Sequence, residues 1–556
     1  MTTVAEVLLR RAADDNPGVV YVDGDNPDAP PRRWTWRQVV AESAVRAAVL
    51  RSLRRPGPFH VGVLLENVPD FVFLLGAAAL EGATIVGINP TRRGSELAAD
   101  IRHTDCQLII TEQAQAPLLA GLDLGVDDDQ VILVDGGDRR WAQLLADHGG
   151  APPPPPDQLP GDDALFMLIF TSGSSGAPKA VRATQGRIGA MADLGFRAKD
   201  VLYCAMPLFH GNALVGNLVP GMGAGATVVL RRRFSASGFL PDVRAHGVTY
   251  FNSVGRALSY ILAMPPTPHD RDHKVGVVLA PETSRRDIAD FQARFGVVVL
   301  EGYGSSEGAI RLLPEPKAPP GALGRAVEGN DVAVVDPETG EERPRARLDA
   351  AGRLLNPEEA IGELVRRDAG ATFEGYYKNP KADRERTRNG WFWSGDLAYR
   401  DDDDIFYFAG RSIDWLRVDG ENFAAAPVER IVGRSPDVDA VAVYAVPDPR
   451  TGDRVMVALT LRAGASFDPS AFADFLAEQP DLGTKWWPRF VRVAPGLPHT
   501  ATNKVAKSAL RVEAWRTADP VWWQPAPRAP YEPFTPAAAA ALAAEFAEHG
   551  RALPDL

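Results

Sequence analysis

Short apolar runs recur along the chain with helix-like stretches between them: Val61–Leu65, Gln107–Thr111, Val131–Val134, Thr227–Leu230, Val275–Leu279 and Val297–Leu300. Runs this short read as strands, and Leu165–Phe170, LFMLIF, is of the kind that forms a strand buried on both faces. Repeated β then α predicts an α/β fold of layered, largely parallel sheets and helices. The apolar stretch Phe71–Leu80, ended by Glu81, predicts a buried helix. It falls short of the roughly 18 apolar residues that a membrane span requires, and no longer run occurs.

Composition marks the boundaries. Ala151–Pro156 reads APPPPP, a run that enters neither a helix nor a central strand, so it predicts an extended surface connector. A second change of texture follows the acidic turn Asp401–Asp404 and the strand-like Ile405–Ala409. A third begins after Trp523, where Pro525, Pro527, Pro530, Pro533 and Pro536 precede the alanine-rich Ala537–Phe546. The predicted division is a large N-terminal region over 1–410, a smaller α/β region over 411–520, and a Pro/Ala-rich tail over 521–556 with one terminal helix. Lys and Arg number 60 against 72 Asp and Glu, a net charge of −12. Such a chain has no general pull toward nucleic acid or anionic lipid, so any anion it binds is held by a local site. Two cysteines, Cys106 and Cys204, build neither a disulfide framework nor a four-sulfur zinc site. With no secretory pattern at Met1–Gly18, the expected compartment is the cytoplasm.

The most informative segment is Thr171–Lys179, TSGSSGAPK, directly after the apolar run Leu165–Phe170. Gly173 and Gly176 let the backbone turn its N–H groups toward one point. Thr171, Ser172, Ser174 and Ser175 add hydroxyl donors, and Lys179 adds a positive charge. This nest suits a polyphosphate. It is not a Walker loop, because Gly176 is followed by Ala-Pro rather than Lys-[Ser/Thr]. A surface turn of ordinary Gly/Ser composition is the competing reading of these residues taken alone.

TSGSSGAPKA resembles the signature loop of the adenylate-forming superfamily of acyl-CoA synthetases, adenylation domains and luciferases, with Ser175 for the usual Thr and Ala180 for the usual Gly. Four further segments resemble that family in its order. They are EGYGSSEG at Glu301–Gly308, WSGD at Trp393–Asp396, GRSIDWLRVDGENFAAAPVE at Gly410–Glu429, and PHTATNKVAK at Pro498–Lys507. The stretch Asp414–Asn422 is most similar to the fatty-acid transport and very-long-chain acyl-CoA synthetase branch.

The resemblance implies roles residue by residue. Thr171, Ser172, Gly173, Ser174, Ser175, Gly176 and Lys179 would cradle the β- and γ-phosphates of ATP, with Tyr303, Gly304 and Ser305 beside the nucleotide. Ser306 would contact the α-phosphate, and Glu307, with Thr171, would hold Mg²⁺. Asp396 would accept hydrogen bonds from the ribose hydroxyls, and Arg411 would reach the nucleotide where a mobile lobe begins. Lys504 would bridge the acceptor oxygen and the α-phosphate. PLFH at Pro207–His210 and the wall Val248–Gly255 would shape the acceptor pocket through Phe209, His210, Asn252 and Gly302. Read without the family, Phe209 and His210 suit core packing equally well, and a lysine such as Lys504 is ordinarily exposed.

Two positions depart from the family pattern. Ile413 stands at the usual hinge, and Ala280-Pro281-Glu282-Thr283-Ser284 replaces a Gly-rich loop that packs on adenine. The first expectation is therefore an acyl-CoA ligase that makes acyl-AMP from ATP and a fatty or aryl-alkyl acid, then passes the acyl group to CoA. The second is an ATP-dependent diazotase of antibiotic biosynthesis, activating nitrite to nitrosate an aromatic amine. A third, a degenerate nucleotide-binding scaffold, fits poorly with Lys179, Glu307, Asp396 and Lys504 present together. In each case the expected partners are small molecules; oligomeric state is not legible.

Overall fold

A computed structural model describes residues 2–26, 29–90, 92–136, 139–171, 179–281, 283, 285–315, 317–319, 321–350, 352–368, 373–411, 415–418, 421–449, 453–479, 481–483, 485–499 and 505–548. The chain packs as two compact units, Met1–Pro316 with Asp368–Phe392, and Lys317–Arg367 with Trp393–Leu556. Position 410 of the sequence division falls inside the second.

The first unit contains thirteen strands before residue 301 among the described residues. In chain order they are β1 (Pro17–Val22), β2 (Arg32–Thr35), β3 (His60–Leu64), β4 (Thr84–Gly87), β5 (Cys106–Thr111), β6 (Val131–Leu133), β7 (Leu165–Thr171), β8 (Lys179–Thr184), β9 (Val201–Cys204), β10 (Thr227–Arg231), β11 (Tyr250–Asn252), β12 (Val277–Leu279) and β13 (Val298–Leu300). One sheet runs β6-β5-β3-β4-β7-β8, and the other β13-β12-β11-β9-β10-β1-β2. All pairs are parallel except β7–β8 and β1–β2. The predicted strands thus form, with ends displaced by one or two residues, and all belong to parallel pairings as the α/β pattern requires.

The predicted helix over Phe71–Leu80 forms as Pro69–Glu81. Proline sits in its first turn, where a missing N–H costs nothing, and Gly82 ends it in the left-handed conformation. It packs against the helix Trp36–Leu53, and Phe71, Leu74, Ala77 and Ala78 lie wholly buried in the core formed with strands of both sheets.

Besides the two-stranded hairpin Trp415–Val418 with Glu421–Ala424, the second unit holds two larger sheets among the described residues. In the first, Ala322–Ala326, Phe406–Arg411, Trp391–Arg400, Gly362–Arg366 and Val332–Val335 lie side by side in that order. The other orders Val438–Pro447, Asp453–Leu461, Phe490–Val493, Val521–Trp523 and Glu532–Pro533. The proline-rich tail is therefore part of a packed layer: Val521–Trp523 extends the sheet, and the helix Pro536–Glu548 buries Leu542 and Phe546 in the same core as Tyr444 and Phe490.

Candidate active site

Strand ends set the position of the candidate residues. Asn252 pairs with both Cys204 and Leu279, and Leu279 with Leu300, so β9, β11, β12 and β13 finish level. The segments that follow them, carrying Phe209 and His210, Ala280 and Thr283, and Gly302–Glu307, leave the sheet at one edge. In α/β proteins that carboxyl edge is where ligands bind.

On the other sheet, β7 ends and β8 begins at either side of the Ser/Gly segment 172–178. Thr171 and Lys179 are backbone partners in this antiparallel pair, so the loop's two ends are fixed to each other. Ser172, Gly173, Ser174, Ser175 and Gly176 lie outside the described residues, as does the side chain of Thr171. Lys179 Nζ stands 3.5 Å from Glu385 Oε2 and 6.0 Å from the ring centroid of Tyr376.

Glu307 is carried by a hairpin. Tyr303 pairs with Leu312 and Gly304 with Arg311. Within its loop the Gly308 N–H donates to Ser305 O (3.0 Å), and Ala309 and Ile310 are fully buried anchors. Arg187, on the helix Gln185–Gly189 after β8, donates through Nη1 to the carbonyl oxygens of Glu307 (2.6 Å) and Ser306 (3.2 Å). Gly308 has φ +70°, and a Cβ there would stand 2.5 Å from Arg187 Nη1, so the close approach needs glycine. Burial lowers the pKa of Arg187, while the Glu374 carboxylate, 3.3 Å from its Nε, and Glu307 oppose the shift.

The Glu307 carboxylate is itself held. Tyr376 donates its hydroxyl hydrogen to Oε1 at 2.7 Å, and Arg386 Nε donates to the Tyr376 oxygen at 3.4 Å. Burial, reinforced by the Glu307 charge, raises the Tyr376 pKa, so the phenol keeps its proton and acts as a donor. Tyr376 lies in a strap laid along β8: Arg182 N–H donates to Gly375 O (3.0 Å), and Tyr377 N–H donates to Ala180 O (2.8 Å). Glu374 ties the strap down by accepting from the Thr184 hydroxyl (2.5 Å) and the Thr184 N–H (3.0 Å). The sequence reading passed over Arg187, Glu374 and Tyr376. The signal available for the strap was Gly-Tyr-Tyr followed by Asn379-Pro380, a helix-start pair whose asparagine caps Ala382 N–H.

Among the residues that the sequence resemblance assigns to the acid, Asn252 is fully buried and donates through Nδ2 to Asn212 Oδ1 (2.7 Å) and Asn212 O (3.2 Å). His210 precedes the helix Gly211–Ala213, and its ring lies 4.6 Å from that of the buried Phe209. A π-helical turn, Leu214–Leu218, continues this wall. At Gly302 a Cβ would meet Pro314 Cγ at 3.3 Å and Leu279 Cδ1 at 3.5 Å, which places the β13 exit against β12. In the altered loop Thr283 is buried, its hydroxyl donating to Ala280 O at 2.6 Å; Glu282 and Ser284 lie outside the described residues.

In the second unit Asp396 sits half-buried in Trp391–Arg400, its backbone paired with Arg411. Its N–H donates to Ser394 Oγ (3.0 Å), and that hydroxyl donates to Leu364 O (2.6 Å). The Arg411 side chain, Ile413, Asp414, Gly420 and Lys504 lie outside the described residues. His499 and Val505, which flank 500–504, are antiparallel partners.

A carboxylate held by a phenol, with a lysine facing the same ring, stands at the carboxyl edge of layered, largely parallel sheets, where α/β enzymes bind their ligands. The family model described as AMP-binding enzyme matches residues 9–377, and that of the AMP-binding enzyme C-terminal domain matches 427–504. The chain belongs to the AMP-binding enzyme family. It is 52% identical over 528 residues to the steroid-22-oyl-CoA synthetase of Rhodococcus jostii (strain RHA1), covering 94% of this chain and 93% of that one. It is 44% identical over 527 residues to the medium/long-chain-fatty-acid–CoA ligase FadD17 of Mycobacterium tuberculosis, covering 94% and 98%. The solved anthranilate CoA ligase AuaEII, in complex with anthranoyl-AMP, shares the fold with a TM-score of 0.79 at 22% identity, over 92% of this chain and 97% of that one. The enzyme is an AMP-forming acyl-CoA ligase with ATP and CoA as co-substrates, as the first sequence expectation held; these relatives give the diazotase alternative no support. No helix among the described residues is long and apolar enough to cross a membrane.

Proposed function

We propose that the acid this ligase activates is a steroid bearing its carboxyl group on the side chain, the class named for its 52% identical relative. That identity over 94% of the chain carries the reading. The 44% identical fatty-acid ligase makes a medium- or long-chain fatty acid the second reading.

In the first half-reaction a carboxylate oxygen attacks the α-phosphorus of ATP and the bond to the β-phosphate oxygen breaks, releasing pyrophosphate. Two anions must meet, so the site's work is to offset their repulsion and the charge that spreads in the transition state. The loop Thr171–Lys179 is assigned to the β- and γ-phosphates, Ser306 to the α-phosphate and Asp396 to the ribose hydroxyls, with Tyr303, Gly304 and Ser305 alongside the nucleotide and Arg411 reaching it. Lys504 is assigned to the meeting point of carboxylate and α-phosphate. Mg²⁺ accompanying ATP would be held largely through the phosphates, for which one or two protein carboxylates suffice. Glu307 supplies one, and no group of three His, Cys, Asp or Glu side chains gathers for a metal among the described residues. Thr171 is the second assigned contact.

In the second half-reaction the CoA sulfur attacks the acyl carbon, the thiol proton leaves, and AMP departs with the oxygen it gained. The small region 411–520 is the part assigned to move between the two steps, with 1–410 holding the nucleotide and 521–556 as the tail. Phe209, His210, Asn252 and Gly302 are assigned to the acid. A cytoplasmic setting suits the two thiols, Cys106 and Cys204, both free and buried.

The test is acyl-CoA formation, followed by mass spectrometry and AMP release, with a steroid 22-carboxylic acid and with saturated fatty acids from C8 to C16. The reading expects kcat/KM for the steroid acid at least about tenfold above every fatty acid, a difference of about 1.4 kcal/mol in transition-state binding. A fatty acid matching or exceeding it selects the second reading.

A further inference from the structure

The segment leading to Phe209 and His210 leaves β9 of one sheet but is seated on the other. Asn67, just beyond β3, is 3% exposed and spends its whole amide on this junction. Its Nδ2 donates to Met206 O (2.9 Å) and to Arg231 O (3.1 Å), and its Oδ1 accepts from Leu208 N–H (2.9 Å). Met206 and Leu208 bracket Pro207, and Arg231 is the last residue of β10, so one side chain binds the exits of both strands. The next strand of the receiving sheet, β4, ends at Gly87. A Cβ at Gly87 would stand 2.9 Å from Phe209 O and 3.0 Å from Phe209 Cβ, so only glycine admits Phe209 at this depth. A third contact follows on β7, where a Cβ at Gly211 would lie 3.5 Å from Ile169 Cδ1. Three neighbouring strands, the last of which runs into the phosphate loop, thus receive the acceptor segment in turn.

We propose that Asn67 and Gly87 form a two-point seat that sets the position of Phe209 and His210, making Asn67 a positioning residue for the acid. The inference rests on the assignment of Phe209 and His210 to the acid pocket. Asn67 does not touch the nucleotide machinery described above, so its effect falls on the acid. The amide is required by its polarity: two donors face two carbonyl oxygens. Asn67→Asp keeps the shape and replaces those donors with a carboxylate oxygen, turning attraction into repulsion. Gly87→Ala disturbs the same segment from the opposite side without touching Asn67.

The experiment measures KM for acid and for ATP in acid-dependent pyrophosphate exchange, using the better of a steroid 22-carboxylic acid and dodecanoate. Asn67→Asp, Gly87→Ala and Phe209→Ala are compared with the wild type, and thermal melts verify folding. The expected result is an acid KM raised about tenfold in Asn67→Asp and in Gly87→Ala, with the ATP KM within about twofold of wild type. An unchanged acid KM in either folded variant, or acid and ATP KM rising together, overturns the proposal. If Asn67→Asp does not fold, Gly87→Ala decides alone. If Phe209→Ala leaves the acid KM unchanged, the pocket assignment has failed and the seat loses its function with it; a raised acid KM there with no effect at Asn67 or Gly87 rejects the seat alone.

Discussion

The Tyr376 hydroxyl donates a 2.7 Å hydrogen bond to Glu307 Oε1, joining residues 69 positions apart in sequence. The same ring lies 6.0 Å from Lys179 Nζ, so one tyrosine stands between the carboxylate assigned to Mg²⁺ and the lysine assigned to the phosphates. Phe removes the donor and keeps the ring. A hydrogen bond to a charged group contributes about 1.5–3 kcal/mol. Tyr376→Phe should therefore raise the dissociation constant of Mg·ATP by about tenfold or more, measured by calorimetric titration. An unchanged constant would show that Glu307 needs no such support.

Gly308 is the point where the Glu307 hairpin and Arg187 cannot both keep their places if a side chain is added. Its φ is +70°, and the Cβ of an alanine would lie 2.5 Å from Arg187 Nη1. Placing a residue other than glycine in the left-handed region costs about 1–2 kcal/mol before any clash. Gly308→Ala should lower the unfolding free energy in urea by at least about 1 kcal/mol. It should also slow pyrophosphate release, because Arg187 must let go of the Ser306 and Glu307 carbonyl oxygens. Wild-type stability and rate together would contradict this description of the loop.

Acid should destabilise the fold through the buried His60 and the half-buried His246 and His273. His60 lies in β3 with Nδ1 2.6 Å from Thr104 O, a carbonyl that only accepts, so Nδ1 carries the proton of the neutral ring. Burial lowers its pKa below 6.5, and His246 and His273 are lowered for the same reason. The unfolded chain then binds protons that the folded chain resists. Stability is full above the unfolded value and declines as pH falls below about 6.5, by up to about 1.4 kcal/mol per pH unit for each linked proton. Melts at pH 7.5 and 5.5 should show a smaller drop for His60→Gln than for wild type; equal drops would remove His60 from the account.

Lys504 is assigned to adenylation alone. Lys504→Ala should abolish acid-dependent ATP–pyrophosphate exchange while thioester formation from a supplied acyl-adenylate stays within about tenfold of wild type. Equal loss of both half-reactions would reject the assignment.

What the sequence made legible follows from range. Strands and the helix Pro69–Glu81 are local patterns, and apolar periodicity with a proline start and a glycine stop suffices to place them. The Ser/Gly segment Thr171–Lys179 stood out because its glycines, hydroxyls and lysine are contiguous. Tyr376–Glu307, Arg187–Glu307 and Asn67–Leu208 were not, because each pairs residues 69 to 141 positions apart that only the fold brings together. In the tail the terminal helix was legible from its alanines, but the strand pairing was not: Val521–Trp523 pairs with Phe490–Arg492, and Trp523 with Glu532. Prolines at an edge are compatible with pairing, because an edge strand leaves one row of N–H groups unused.

The most direct test of the enzyme's chemistry is pyrophosphate release from ATP and Mg²⁺ by the purified protein, with a steroid 22-carboxylic acid, the C8–C16 fatty acids, or nitrite with an aromatic amine as acceptor. Acid-dependent pyrophosphate, followed by one AMP per acyl-CoA once CoA is added, is the predicted result. No pyrophosphate with any acid, or release strictly dependent on nitrite, would contradict it.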